Sequence, residues 1–264
     1  LAVRFVQSGW DVKAMLRLIV TSATYRQRSA VPSRLVTLDP HNRLLARGPR
    51  FRLQAELLRD LALSVSGLLD ERIGGPSVKP YQPPDLWREL AHQKDNSKFT
   101  AQVFEQDHGA DLYRRGMYTF WKRSLPPPNM AALDAPNREI CVVRRETTNT
   151  PLQALVLLND PTFVEAARAL AERLLNDPAA TTDERIHRAY ALATSRLPRT
   201  DEMEIVTKEL QRQVTVYRSD PVAAQALLAV GESPRNMSLD AAEHAAWTNV
   251  ALMILNLDET ITKE

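Results

Sequence analysis

Glycine is distributed very unevenly along this 264-residue chain. Seven of the eight glycines lie at or before Gly116, and only Gly231 lies after it. Glycine inside a helix is destabilising by about 0.5–1 kcal/mol relative to alanine, because its backbone loses more freedom on folding. The second half of the chain can therefore form long, uninterrupted helices more readily than the first half.

Apolar residues in the second half repeat at helical intervals. Phe163, Ala166 and Leu170 are spaced three and four residues apart, which is the pattern of one buried helical face. The segment from Ile186 to Leu197 repeats this spacing. Both segments are therefore predicted to be helices with one face in a core.

Residue types that favour the first turn of a helix precede these segments and others. Thr150 combines a capping hydroxyl with a proline at the next position, and Asp160 and Asp220 are also followed by proline. Thr181 and Asp240 each have a glutamate three residues later, the spacing of a capping box. These signals predict helices at residues 151–158, 161–176, 182–196, 201–218, 221–230 and 240–256.

The first half predicts fewer helices and a long irregular stretch. Helices are expected at residues 1–8, 11–25 and 51–69, whereas prolines and glycines exclude long helices between about residues 70 and 149. Two β-favouring runs in that stretch, Met117–Trp121 and Ile140–Val143, predict one short β-hairpin. The sequence thus predicts a mainly α fold, a helical bundle or stacked helical hairpins with an irregular Pro/Gly-rich middle segment.

Residues 1–264 are interpreted as a single domain, the C-terminal part of a longer protein. It consists of N-terminal helices at 1–69, the irregular segment at 70–149 and a helical part at 150–264.

Charge and cysteine content exclude several classes of protein. The formal net charge is +2, from 34 basic and 32 acidic residues, which does not fit a globally electropositive nucleic-acid binder. No apolar run approaches the roughly 18–20 residues that span a bilayer.

The single cysteine, Cys141, excludes an internal disulfide and any multi-cysteine zinc or haem-attachment motif. Because it lies between Ile140 and Val142, we expect a buried thiol.

Five stretches of the sequence together resemble one protein family, the domain of unknown function 1553. The most distinctive is PPPNMAALDAPNREICVVRRETTNTPLQALVLLNDPTFVEA, and the resemblance extends over nearly the whole chain. The stretches are Trp10–Gln27, Asp39–Arg52, Ile73–Gln82, Asp107–Arg123 and Pro126–Ala166.

The resemblance implies a cellular location and neighbouring domains, but it implies no reaction. Domains of this kind are C-terminal parts of large planctomycete-type surface proteins, where they follow a c-type cytochrome domain and a second domain of unknown function. This implies an extracytoplasmic location, periplasmic or on the cell surface, and the preceding domains as partners. The haem-attachment motif belongs to the cytochrome domain, so we expect no cofactor in this segment. The resemblance supplies no catalytic residue.

Cationic and aromatic residues are densest between Tyr113 and Arg145. Guanidinium groups hold carboxylate or sulfate groups, and aromatic faces stack on sugar rings or cations, so an anionic polysaccharide would fit. Alternatively, the arginines pair with carboxylates such as Glu146 and Glu165 while the aromatic rings fill the core. The candidates in this cluster are Arg114, Arg115, Trp121, Lys122, Arg123, Arg138, Glu139, Arg144 and Arg145.

The polar stretch directly before the predicted helix at residue 151 is a second candidate. Free backbone N–H groups at a helix start can hold an anion, which Arg144, Arg145, Thr148 and Asn149 would help to bind. Alternatively, Thr148 and Asn149 only order the turn before the cap.

No metal site and no catalytic group follows from the sequence. No two of the five histidines have the spacing that places two ligands on one helix face. The stretch from His92 to His108 also contains acidic residues, so a metal or general-base site is conceivable there, and a solvated loop is the alternative. Nucleophile-elbow, Walker and dinucleotide-binding motifs are absent from the sequence.

Three functional hypotheses follow. The first is an accessory domain that packs on its neighbours and binds a glycan or partner protein; a glycan platform requires an exposed Trp121. The second is a hydrolase-like enzyme whose site is shared with a preceding domain and includes Asp134, Glu139 and His108. The third is a scaffold for the cytochrome domain, with arginines facing an acidic partner and an apolar patch along residues 1–18.

Overall fold

The computed structural model describes residues 1–89 and 103–263, and within these it divides into two compact units. Unit 1 contains residues 1–52 and the chain end from residue 262, and unit 2 contains residues 53–261.

Unit 1 holds three short helices and one pair of strands. The helices are α1 (Ala2–Gln7), α2 (Val12–Val20) and α3 (Ser33–Leu38). Strand β1 (Phe51–Arg52) pairs antiparallel with β2 (Thr262–Lys263). The carboxylate of Asp11 accepts a hydrogen bond of 2.9 Å from the Ala14 N–H and so caps α2.

The regular elements in the described part of unit 2 are helices. Its short helices α5 and α6 and two 3₁₀ turns, Gly109–Tyr113 and Gly116–Tyr118, occupy the irregular middle segment. The α-helices are α4 (Ala55–Ser66), α5 (Leu86–Glu89), α6 (Pro128–Ala132), α7 (Pro151–Asn159), α8 (Pro161–Leu175), α9 (Thr182–Thr194), α10 (Thr200–Ser219), α11 (Pro221–Leu228), α12 (Ala241–Leu255) and α13 (Asp258–Ile261).

The core of unit 2 is built around α8 and α12, which pack on each other. Helix α4 packs on α8, and α10 packs on α12. Both central helices are rich in alanine on their buried faces, so their backbones can approach closely. The fully buried residues of the two helices include Ala166, Ala167, Leu170, Ala171, Ala246, Val250, Ala251 and Ile254.

The predicted mainly α fold with one short pair of strands is confirmed, as are the helices of the second half. Thr181 and Glu184 form the predicted capping box, and the carboxylates of Asp160, Asp220 and Asp240 accept hydrogen bonds from the first turns of their helices. The predicted helix at 51–69 is shorter, because β1 forms at its start and Gly67 adopts a left-handed conformation at its end (φ 84°).

The predicted location of the strands is wrong. Residues 116–118 form a 3₁₀ turn, and Thr119 forms only an isolated parallel bridge with Val78. The Ile140–Val143 run forms no strand, because no other described segment pairs with its backbone. The predicted burial of Cys141 is also wrong: its thiol is exposed.

None of the described helices has the length and apolar character that crossing a membrane requires.

Candidate functional site

Arg114 is buried inside the middle segment rather than on a surface. Its guanidinium donates to the carbonyl oxygens of Pro76 and Arg72, each at 3.1 Å, and to that of Gly74. It also lies over the ring of Tyr118, 3.9 Å from the centroid. These contacts hold the Gly74–Pro76 turn in place, and the side chain is only 1 % exposed.

Arg145 forms an ion pair, as the structural alternative expected, but with a carboxylate that the sequence did not indicate. Its two terminal nitrogens donate to the Glu56 oxygens at 2.7 and 3.2 Å. Burial acts to raise the pKa of Glu56, but the hydrogen bonds from Arg145, a backbone hydrogen bond and the charges of Arg145 and Arg138 together leave that pKa below its ordinary value. The neighbouring Arg144 is exposed and has no carboxylate partner among the described residues.

The stretch before α7 is ordered by side chains of its own. Asp134 accepts hydrogen bonds of 2.7 Å from both the N–H and the hydroxyl of Thr148. Gln153 donates to Asp134 at 3.0 Å and to the Thr148 hydroxyl at 2.9 Å. Asn149 is exposed. These contacts match the turn-ordering alternative for Thr148.

The remaining cluster candidates lie in separate contacts. The Arg138 guanidinium lies 4.4 Å from the centroid of the half-buried Trp121, whose indole N–H donates to the Asn137 carbonyl at 3.1 Å. Lys122 lies 4.2 Å from the Trp87 centroid, and burial lowers the pKa of that lysine. Arg115 is half-buried, whereas Arg123 and Glu139 are exposed.

The three groups of the hydrolase hypothesis are held by different partners. Asp134 is bound by Thr148 and Gln153, whereas the ring of His108 lies 2.7 Å from a carboxylate oxygen of Glu232. The backbone N–H of the exposed Glu139 donates to Asn137. His92 lies outside the described residues. No group of three metal-ligating side chains occurs in the described part of the chain.

A polar network that the sequence analysis missed surrounds Glu165, on α8. This carboxylate is 1 % exposed and accepts hydrogen bonds from the hydroxyls of Tyr81 and Tyr113, both at 2.9 Å. It also accepts one from the Ser233 N–H at 2.6 Å. Burial, and then the Glu165 charge, raise the pKa of Tyr81 and raise that of Tyr113 to about 12. Both phenols are therefore hydrogen-bond donors at neutral pH.

Arg168 extends this network by one helical turn. It is 2 % exposed, lies 3.5 Å from a Glu165 oxygen, and donates to the carbonyl and hydroxyl oxygens of Ser233 at 2.7 and 2.5 Å. A sequence signal for this pair existed, because Glu165 and Arg168 are the charged residues within the otherwise apolar stretch from Phe163 to Ala171. The network joins three loops to α8, so its role is structural.

A groove of about 690 Å³ lies beside this network in unit 2. Leu152 and Leu155 of α7 line one part of it, and each is more than half exposed. Its half-buried carboxylate, Asp160, is already engaged: it accepts hydrogen bonds from the Thr162 N–H at 2.9 Å and from the Asn129 amide at 3.0 Å. The other lining residues are Tyr81, Gln82, Pro83, Pro84, Pro128, Asn129, Ala132, Val156, Asn159 and Pro161.

Unit 1 exposes apolar side chains that a lone helical hairpin cannot bury. Helices α1 and α2 contain no buried residue. Val12, Leu16 and Val20 lie four residues apart on α2 and are 58, 56 and 45 % exposed. Trp10, between the helices, is 65 % exposed and contacts Phe5 edge to face. This surface, which we call the α1–α2 face, coincides with the apolar patch that the scaffold hypothesis requires.

The same unit is strongly basic. Residues 1–52 contain ten Lys and Arg but only Asp11 and Asp39, a formal excess of eight positive charges in a chain whose net charge is +2. The rest of the chain is therefore acidic on balance. The net charge of the whole chain conceals this difference between the first 52 residues and the rest. The net charge of successive segments reveals it.

These features define a mainly α-helical domain whose buried polar groups hydrogen-bond within the domain itself. Its distinctive exposed feature is the apolar α1–α2 face, which belongs to a basic unit. The chain belongs to the PSD1 family, described as a protein of unknown function (DUF1553), whose model matches residues 1–210. The family predicted from the sequence is thereby confirmed. No curated protein and no solved structure matches the chain.

Proposed function

We propose that this chain is an interaction domain of an exported, cytochrome-linked protein, and that unit 1 docks onto a neighbouring domain of that protein. The observation that carries the proposal is the α1–α2 face: apolar side chains at helical spacing, without a buried residue, in a unit whose residues 1–52 carry an excess of eight positive charges. Exposed apolar surface of this kind is typical of interaction sites.

The chemistry of unit 1 specifies the partner. Valine and leucine side chains on α2 require an apolar surface, because only its burial yields hydrophobic stabilisation. The net positive charge of residues 1–52 favours a partner rich in Asp and Glu, since complementary potentials speed association and exclude wrong partners. The partner is therefore an acidic protein domain with an apolar centre.

Anionic polysaccharide is a second candidate, supported by different residues. Arg123 and Arg144 are exposed and have no carboxylate partner among the described residues, and Arg138 lies over Trp121. However, the aliphatic side chains of α2 contribute little to sugar recognition, which relies on aromatic faces and hydrogen bonds. No observation on the described residues favours the hydrolase hypothesis.

The test is a titration of this chain with the remainder of its parent protein, produced as a separate polypeptide. Leu16→Gln should weaken binding by at least about tenfold, because a buried leucine contributes about 1.5–3 kcal/mol. Leu152→Gln is the matched control, since Leu152 is equally exposed (57 against 56 %) but lies on α7 of unit 2. That variant should bind like the wild type.

Salt and a sulfated polysaccharide separate the two candidates. Raising salt from about 0.1 M to about 1 M shortens the Debye length from about 10 Å to about 3 Å, so docking should weaken without disappearing, because its apolar part remains. If the two leucine variants bind alike, the α1–α2 face is not the docking surface. Binding of sulfated polysaccharide that is lost in Arg144→Gln and kept in Leu16→Gln would support the second candidate instead.

A further inference from the structure

Another cavity of unit 2, of about 290 Å³, lies along one side of α8. Its walls also include residues that follow α4 and residues of the loop at Ser233. The residues of α8 and its C-cap that line it are spaced alternately one and three positions apart, so they share one side of the helix. They are Arg168, Ala169, Glu172, Arg173 and Asn176.

The two arginines of this cavity retain donors that the protein does not use. The Arg168 side chain is 2 % exposed, and its Nη2 donates to Ser233, but its Nε is buried and has no acceptor among the described residues. The Nη1 of the half-buried Arg173 donates to the Val65 carbonyl at 2.8 Å, and no described carboxylate lies within ion-pair distance of this guanidinium. A buried donor without an acceptor is destabilising, so a bound group that supplies acceptors would stabilise this arrangement.

Glu172 adds a negative charge to the same cavity. Its carboxylate accepts a hydrogen bond of 2.8 Å from the Asn236 N–H, and no described cation lies within ion-pair distance of it. Together with Glu165, which lies 3.5 Å from Arg168, it balances the two guanidinium groups. The cavity therefore offers separate positive and negative groups without a net charge, which suits a zwitterion better than a simple anion.

We propose that this cavity binds a small zwitterion, an α-amino acid with a short aliphatic side chain. Its carboxylate lies against the two arginines and accepts hydrogen bonds from Arg173, and its ammonium donates to Glu172. Leu68, Ala169 and Pro234 supply apolar surface for the side chain of the ligand. Pockets for drug-sized ligands measure about 300–1,000 Å³, so this cavity suits a smaller molecule.

Calorimetric titration of the full chain with L-valine, isovalerate and isobutylamine tests both charges of the ligand. Isovalerate lacks the ammonium group of valine, and isobutylamine lacks its carboxylate. L-Valine should bind at least about tenfold more tightly than either analogue, because each loses a hydrogen bond between two charged groups.

Two substitutions separate the roles of the protein's charges. Glu172→Gln keeps an acceptor oxygen for the Asn236 N–H but removes the charge, so it should weaken valine binding about tenfold without weakening isovalerate binding. Arg173→Gln should weaken valine binding without weakening isobutylamine binding. Glu204→Gln and Arg218→Gln make the same changes at exposed positions of α10, so both should bind valine like the wild type.

A chain that binds valine no more tightly than the two analogues overturns the proposal. A Glu172→Gln variant that is folded by circular dichroism and binds valine like the wild type also overturns it. If Arg173→Gln does not fold, because the Val65 carbonyl loses its donor, the Glu172 variant alone decides.

Valine binding is independent of the proposed docking, because the cavity lies within unit 2. Leu16→Gln should leave valine binding unchanged, so that loss of docking and loss of valine binding are distinguishable.

Discussion

A carboxylate buried in a protein core needs several hydrogen-bond donors, and Glu165 obtains its donors from distant parts of the chain. Tyr81, Tyr113 and Ser233 lie 84, 52 and 68 positions away in sequence. Because the network is satisfied only when all three loops lie on α8, it makes the arrangement of those loops specific. Sequence periodicity reports on neighbours within one or two helical turns, so it could not predict this network.

The glycine beside this carboxylate provides a test at a single residue. Gly231 has a φ of +87°, and a Cβ there would lie 2.2 Å from the Glu165 Cδ. Gly231→Ala should lower the free energy of unfolding by about 2–4 kcal/mol, because it combines a left-handed alanine with overpacking of a buried group. Urea denaturation followed by circular dichroism measures the loss.

Gly67→Ala separates the two contributions. Gly67 has a similar φ of +84°, but no atom lies within 4 Å of a Cβ built on it. This variant should cost only about 1 kcal/mol, from the left-handed backbone alone. Equal losses in the two alanine variants would contradict the close packing of Gly231 on Glu165.

The contact between Glu202 and Arg196 makes the stability of the fold depend on pH. Arg196 donates two hydrogen bonds of 2.7 Å to this carboxylate and lowers its pKa from 4.5 to about 2. A carboxyl whose pKa is lower in the folded state stabilises the fold above its unfolded pKa, and this stabilisation is lost as the pH falls through 4.5 towards 2. Glu202→Gln should therefore lose less stability than wild type between pH 5 and pH 2.5. Denaturation at several pH values measures this, and Glu204→Gln, on the exposed side of the same helix, should behave like wild type.

The arginines show which side-chain contacts could be predicted from the sequence and which could not. The abundance of guanidinium groups between Tyr113 and Arg145 correctly indicated structural ion pairing as one alternative. Their partners were not predictable: Arg145 pairs with Glu56, 89 positions away, and not with the adjacent Glu146. Arg114 binds carbonyl groups, which every residue carries, so no sequence pattern marks its acceptors.

At the level of secondary-structure elements, the sequence predicted the helices well, because the contacts that start a helix join residues close together in sequence. The two members of the capping box, Thr181 and Glu184, are only three positions apart, and α9 begins where the box predicts. Strand formation, by contrast, depends on a partner elsewhere in the chain. Ile140–Val143 has the β-favouring residues but no strand partner among the described residues, whereas Phe51 and Arg52 form a strand because Thr262 and Lys263 pair with them. Residue preference thus located the helices but not the strands.

The caps themselves can be tested on α12, a central helix of the core. The Asp240 carboxylate accepts a hydrogen bond of 2.8 Å from the Glu243 N–H. Asp240→Ala should lower the free energy of unfolding by about 1 kcal/mol, because an N–H of the first turn loses its acceptor. Thermal or urea denaturation measures it. Asp240→Asn keeps an acceptor oxygen and should retain most of the stability, and an equal loss in both variants would mean that the cap is not the cause.

At the scale of the whole molecule, burial and charge are both divided unequally between the two units. The helices of unit 1 contain no buried residue, whereas α8 and α12 of unit 2 are largely buried. Ten of the 34 basic residues but only two of the 32 acidic ones lie within residues 1–52. A segment with little core and much positive charge gains little by folding alone and more by binding an acidic partner.

This imbalance predicts that the two units open separately. Because local stability follows the number of buried apolar contacts, the amide hydrogens of α1 and α2 should exchange orders of magnitude faster than those of α8 and α12. Native-state hydrogen exchange measures both in one sample, and equal rates would contradict the division. A partner that binds only folded unit 1, present at 100 times its Kd, should then slow exchange in α1 and α2 about 100-fold, since it adds about 2.7 kcal/mol to their stability. Exchange in α8 and α12 should change little, because their opening does not require release of that partner.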